Sequence, residues 1–240
     1  MIGEALAWFA TSVLGGITAS VAGFGIGSIL TPVLATRYSV ADAILAVSVP
    51  HAVATALRCW RLRRAIDRSL LKSFGIASAA GGLTGAFLLL GFRTWAALVL
   101  GILLIATGLA GLTGWNTRSR PGRTTSAILG GLSGIFGGMA GNQGGLRAAA
   151  LTTYRLTPSQ FVATSTAVGL MVDAARIPVY LATSSARIAE LAGPIAIATA
   201  GVVAGTLYGE RLLISLSPAR FRQTISILIV ALGIWLLVAH

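Results

Sequence analysis

The sequence predicts an all-α integral membrane protein built from two homologous halves, and three observations carry that prediction. Of 240 residues, 55% are hydrophobic and only 10% charged, with a mean hydropathy of +0.86; soluble domains carry roughly 25% charged residues. Apolar runs close to the roughly 20 residues needed to cross a bilayer fill almost the whole chain. A motif also returns: LGGITASVAGFG from Leu14 aligns with LGGLSGIFGGMA from Leu129. No polar block is long enough for a separate soluble domain, so residues 1–240 read as one membrane domain.

The apolar segments fall at 3–22, 26–36, 40–57, 69–91, 94–114, 124–139, 144–154, 157–180, 188–209 and 220–239. The first contains Glu4 and lacks a basic leader, so it reads as a retained membrane segment. Segments 26–36 and 144–154 are too short to span, and each follows a glycine-rich break. The prediction is therefore about eight full-length helices and two half-helices, broken or re-entrant at the glycines. The repeat continues beyond its opening motif: Arg58 falls opposite Arg176, Gly81 and Gly85 opposite Gly201 and Gly205, and Gly108 opposite Gly233. The halves are 1–114 and 124–240, joined by the basic turn WNTRSRPGR at 115–123.

The net charge of +12 comes from eighteen basic and six acidic residues. The basic residues sit at the ends of apolar spans, which points to membrane topology rather than to nucleic acid. If the halves are parallel, eleven basic residues lie inside and six outside. If the short segments turn back and the halves are inverted, Arg155, Arg211, Arg220 and Arg222 move inside while Arg176 and Arg187 move outside. The count becomes thirteen against four, so the inverted arrangement is favoured. In both arrangements the stretch Arg58–Lys72 is cytoplasmic, as a topology determinant touching anionic headgroups or as a partner-binding segment.

Cys59 is the sole cysteine, which excludes an internal disulfide and a cysteine metal cluster. Walker, His-Glu-x-x-His and Gly-x-Ser-x-Gly motifs are absent from the sequence. No enzyme activity, cofactor or metal is expected.

The first glycine motif is GFGIGSILTPVL, Gly23 to Leu34. Gly25 and Gly27 allow unusual dihedrals and close backbone approach, and Pro32 prevents a continuous helical ladder. A short helix starting near Gly27 or Ser28 would aim free amides and the positive end of its dipole into the membrane, favouring an anion. Small residues there also serve tight helix packing. The second motif, GMAGNQGGLRAAAL, places Gly141, Asn142, Gln143 and Gly144 at the break and Arg147 one turn into the next half-helix. Amide donors and a planar guanidinium suit an oxyanion. Alternatively, Arg147 caps carbonyls of the broken helix in the other half.

In TSTAVGLMVDAARIPVY, Asp173 and Arg176 are three residues apart and share a helix face. Arg176 reads as a second anion ligand with Asp173 as its orienter or a proton-coupling group, or the two form a structural ion pair. Thr164, Ser165 and Thr166 either line the same cavity or satisfy helical carbonyls. In the first half, His51 is a candidate proton relay or a buried hydrogen-bond partner. Arg58 either matches Arg176 by symmetry or begins the basic loop, and Thr55 stands where Asp173 would be. The second half is the richer in site candidates.

At these residues the chain resembles the sulfite exporter family, TauE/SafE. Gly23, Gly25, Gly27, Pro32 and Leu34 reproduce its opening motif, and GNQGGLRAAAL followed by ATSTAVGLMVDAARIPVYL is similar to one branch's second motif. A glycine-proline element carried by other branches is missing. The resemblance covers essentially the whole chain and implies export of sulfite or organic sulfur anions across the cytoplasmic membrane. The expected partners are a small anion, membrane lipid, coupled protons and a further copy of the chain. An anion channel and a non-transporting partner of a sulfur-metabolising enzyme are the alternatives.

Overall fold

The computed structural model describes residues 2–113, 121–139 and 143–238; the side chains of Gln143 and Arg176 lie outside the description. All regular elements among the described residues are helical. In chain order they are α1 (Ile2–Ala22), α2 (Ile26–Ala35), α3 (Val40–Arg61), a 3₁₀ turn (Arg63–Ala65), α4 (Arg68–Leu70), a π-helical turn (Leu71–Gly75) and α5 (Ile76–Thr113). They continue with α6 (Arg123–Met139), α7 (Gln143–Leu151), α8 (Pro158–Glu190), α9 (Ala192–Ser215) and α10 (Pro218–Val238). Among the described residues, Gly3–Ala22, Asp42–Arg61 and Ala192–Ser215 are long and apolar enough to cross a membrane. Leu6, Leu14, Trp60, Ile102, Ile128, Ile214 and Ile227 lie exposed on the outside, where hydrocarbon accepts side chains that water would not.

Two segment boundaries differ from the sequence reading. The spans expected at 69–91 and 94–114 both run into the helical stretch α5. Its early residues pack on α6 (Gly81 against Gly131) and its late ones on α10 (Gly108 against Ser226), and Ser73 and Gly111 both lie near Arg155 at one end of the bundle. The helix predicted over 157–180 continues to Glu190. It opens with a capping box in which Thr157 and Gln160 satisfy each other's backbone N–H groups, with Pro158 in the first turn.

Both short helices turn back along the helix before them. Trp8 stacks at 5.9 Å on Tyr38, just past α2, and Arg37 reaches Glu4 at 3.7 Å. The end of α2 thus returns to the level where α1 began. In the second half, the Tyr154 hydroxyl donates to Ser126 at 3.0 Å, returning the end of α7 to the start of α6.

Each half's first helix packs on the other half's later helices: α1 on α9, and α6 on α5. A Cβ at Gly205 would lie 2.1 Å from the Val13 carbonyl oxygen, and one at Gly81 would lie 2.4 Å from that of Gly131. These crossings bring backbones into direct contact, which only small residues permit. Two buried apolar clusters result. One joins α1, α2, α3 and α9 around Ile26, Leu34, Val47 and Val202; the other joins α7, α8, α10 and Phe74 around Leu104, Leu151, Phe161 and Ile229.

The ends of the bundle differ in charge. At one end Arg187 pairs with Asp42 at 2.7 Å and with Glu190, beside the Arg37–Glu4 pair. At the other, Arg61 pairs with Glu210, and the Asp67 N–H donates to Thr164 at 3.0 Å. Arg123 and Arg155 line a cavity with Asp67 there, and Arg155 lines a further one with Arg222. Cations outnumber carboxylates at this second end.

Candidate functional site

The site begins with the break between α1 and α2. Gly23 has φ 75° and Gly25 φ 129°, values that L side chains rarely adopt. Space is refused as well as conformation: a Cβ at Gly25 would meet Thr18 Cγ2 at 2.8 Å, and one at Gly23 would meet Ser165 Cβ at 2.9 Å. The chain can therefore stop α1 and restart α2 within a few residues. The first helical bond of α2 runs from the Ile29 N–H to the Gly25 carbonyl at 3.0 Å, so the amides before it are outside the ladder.

A cavity of about 80 Å³ lies at this start, lined by Gly25, Gly27 and Ser28 of α2's first turn, Ser48 and His51 of α3, and Gly144 and Arg147 of α7. Gly169, Val172 and Asp173 of α8 complete the lining. One water needs about 10–15 Å³ on this scale, so about five to eight water-sized positions are available. The positive ends of two half-helices meet here, one from each half of the chain. A Cβ at Gly27 would meet nothing within 4 Å, so this glycine leaves backbone open to the cavity; one at Gly144 would press on Phe24 Cβ at 2.7 Å.

Arg147 is buried. Its Nε donates to the Ser165 hydroxyl at 3.1 Å, and Ser165 donates to the Gly23 carbonyl at 3.0 Å. The guanidinium of the second half is thus tied through one hydroxyl to the helix break of the first. Arg147 lines the cavity and reaches the opposite break through Ser165. Gly169 gives the guanidinium its room, since a Cβ there would lie 3.2 Å from Nη2.

Asp173 is buried, and its carboxylate accepts from His51 Nδ1 at 2.6 Å. The two candidate coupling groups, 122 residues apart in sequence, form one pair across the halves. Thr55 Oγ1 lies 3.4 Å from the same nitrogen and accepts from Arg58 Nη2 at 3.3 Å; Arg58 Nη1 donates to Thr206 at 3.3 Å. A polar path thus runs from Asp173 through His51 and Thr55 to Arg58, itself buried. Arg58 is part of the buried network as well as the start of the basic loop. Thr55, standing where the repeat would place an acid, gives it a neutral acceptor.

Of the other predicted residues, Gly141 and Asn142 lie outside the described residues, as do the side chains of Gln143, which opens α7, and Arg176, within α8. The three hydroxyls at 164–166 divide: Thr164 caps the Asp67 N–H, Ser165 bridges Arg147 to Gly23, and Thr166 Oγ1 is buried with no hydrogen-bond partner among the described residues. Ser165, Gly169 and Thr206 are the members that sequence reasoning undervalued. Only their alignment across helices marks them, because small and hydroxyl residues are common in membrane helices.

The starts of α2 and α7 and the buried Arg147 thus line one small cavity inside a helical membrane protein, an arrangement suited to a small anion. The class follows from the sequence. Residues 8–236 match the family model described as sulfite exporter TauE/SafE, and the chain belongs to that family. No curated protein and no solved structure matches the chain.

Proposed function

We propose that the chain is a secondary transporter that exports small sulfur oxyanions such as sulfite across the cytoplasmic membrane. The observation that carries this reading is the cavity in which Arg147 of the second half meets the open amide end of α2 from the first. Arg147 supplies charge and a planar donor set to the anion, while the backbone at Gly25 and Gly27 and the Ser28 turn accommodate its oxygens. Asn142, Gln143 and Arg176 are assigned to the same anion from the sequence pattern. The volume suits an anion of about four to six heavy atoms, which favours sulfite over long organosulfonates.

An anionic cargo fits the described part of the interior, where Arg58 and Arg147 are buried with Asp173 and a buried charge needs a partner. His51 is the residue proposed to take up a coupled proton.

The halves are read as inverted repeats, 1–114 and 124–240, rocking about the central site. This draws support from the turning back of α2 and α7 and from the meeting of Arg61 with Glu210 and of Asp67 with Thr164 at the more basic end. That end is the cytoplasmic one by the positive-inside rule.

The test is sulfite flux in proteoliposomes. Arg147→Ala should abolish flux while the protein still elutes as a folded species; undiminished flux would remove Arg147 from the site. Uphill accumulation under an imposed proton gradient marks a coupled carrier, and its failure alongside downhill flux marks a channel.

A further inference from the structure

The larger cavity lies elsewhere, at the more basic end of the bundle. It measures about 530 Å³ and sits between the end of α7, the start of α8, the start of α10 and Gly111 of α5. Its floor is hydrocarbon: Leu151, Phe161, Phe221 and Ile225 are all buried, with the two phenyl rings edge-to-face at 5.5 Å. Its rim carries Arg155 and Arg222, both exposed. A second cavity of about 290 Å³ continues past Tyr154 and Arg155 to Arg123.

We propose that this cavity binds one anionic phospholipid, with Arg155 and Arg222 holding the phosphodiester and the aromatic floor taking the first part of an acyl chain. Two guanidinium groups at one rim suit a phosphate's oxygens, which gives charge complementarity with an acidic headgroup. The floor decides between a lipid and a free anion. A small hydrated anion gains nothing from a bed of leucine, isoleucine and phenylalanine, whereas an acyl chain fills the space against it and makes the dispersion contacts an empty cavity forgoes. The location agrees, because the cavity spans the level at which apolar helices give way to basic loops, where headgroups lie. Its volume is in the range of ligand pockets and well above the space beside Arg147. The site is separate from the transport cavity, sharing no lining residue with it.

The experiment follows thermal unfolding of the purified full chain in neutral detergent. The additions are phosphatidylglycerol, phosphatidylethanolamine, or inorganic phosphate with glycerol phosphate. Phosphatidylglycerol should raise Tm by roughly 5 °C at saturating lipid, and the other additions should not. R155Q/R222Q should lose the lipid response, read as the shift from that variant's own basal Tm. R64Q/R68Q, which removes two exposed cations elsewhere on the same end, should keep it. An unchanged response in R155Q/R222Q, an equal loss in R64Q/R68Q, or an equal shift with inorganic phosphate would each overturn the proposal. If the double variant does not fold, native mass spectrometry of R155Q and R222Q singly reads the same question: each should retain several-fold less phosphatidylglycerol than wild type, and equal retention would overturn it.

Discussion

Gly169 offers the gentlest way to disturb the anion site, because it shapes the space of Arg147 without carrying a charge. A methyl group there would lie 3.2 Å from Nη2, so the guanidinium must shift by a few tenths of an ångström. Gly169→Ala is expected to raise the KM for sulfite about fivefold, the equivalent of roughly 1 kcal/mol, with little change in folding. A KM equal to wild type would show that Arg147 does not contact substrate from this position. His51 tests a different property. His51→Gln keeps a hydrogen-bond donor toward Asp173 but removes the titratable nitrogen. Downhill flux should persist while an imposed pH gradient no longer drives accumulation, measured by sulfite uptake at two external pH values. At this scale the sequence was legible where a residue violated its surroundings. Arg147 and Asp173 stand out as charges in apolar runs, whereas Ser165 and Thr206 are ordinary membrane-helix residues until their partners in the other half are known.

The half-helices depend on backbone conformations that few side chains permit. Gly25→Ala would force φ 129° on an alanine and push its Cβ to 2.8 Å from Thr18 Cγ2. A destabilisation of roughly 1–3 kcal/mol is expected, read as a fall in Tm, with loss of flux because α2 can no longer start at the cavity. Gly27→Ala meets nothing within 4 Å, so Tm should be nearly unchanged while substrate affinity falls. The contrast separates a glycine required by geometry from one that keeps backbone open. The break at Gly23–Gly25 was readable because closely spaced glycines before Pro32 admit few explanations. The turning back of α2 is a tertiary fact: it rests on Trp8 meeting Tyr38 and Glu4 meeting Arg37, pairs whose proximity no periodicity announces.

Across the whole molecule, the close crossings α1–α9 and α6–α5 each join one half to the other. Gly205→Val should wedge Val13 away from α9 and lower both Tm and the yield of folded protein, and Gly81→Val should do the same at α6. A variant with either substitution and an unchanged Tm would argue against the backbone contact. The charge count already favoured one basic end. What the count alone did not reveal is that Asp42, Glu4 and Glu190 answer Arg187 and Arg37 at the opposite end, which leaves the imbalance more one-sided than the number of cations suggests.

The bridge from Arg147 through Ser165 to the Gly23 carbonyl makes distant parts of the sequence depend on each other. On the proposed reading residues 23–28 bring the opened backbone while Arg147 and Ser165 bring the guanidinium and the hydroxyl that steadies it, so a chain expressed as two pieces divided at 115–123 should hold the anion only when both pieces are present.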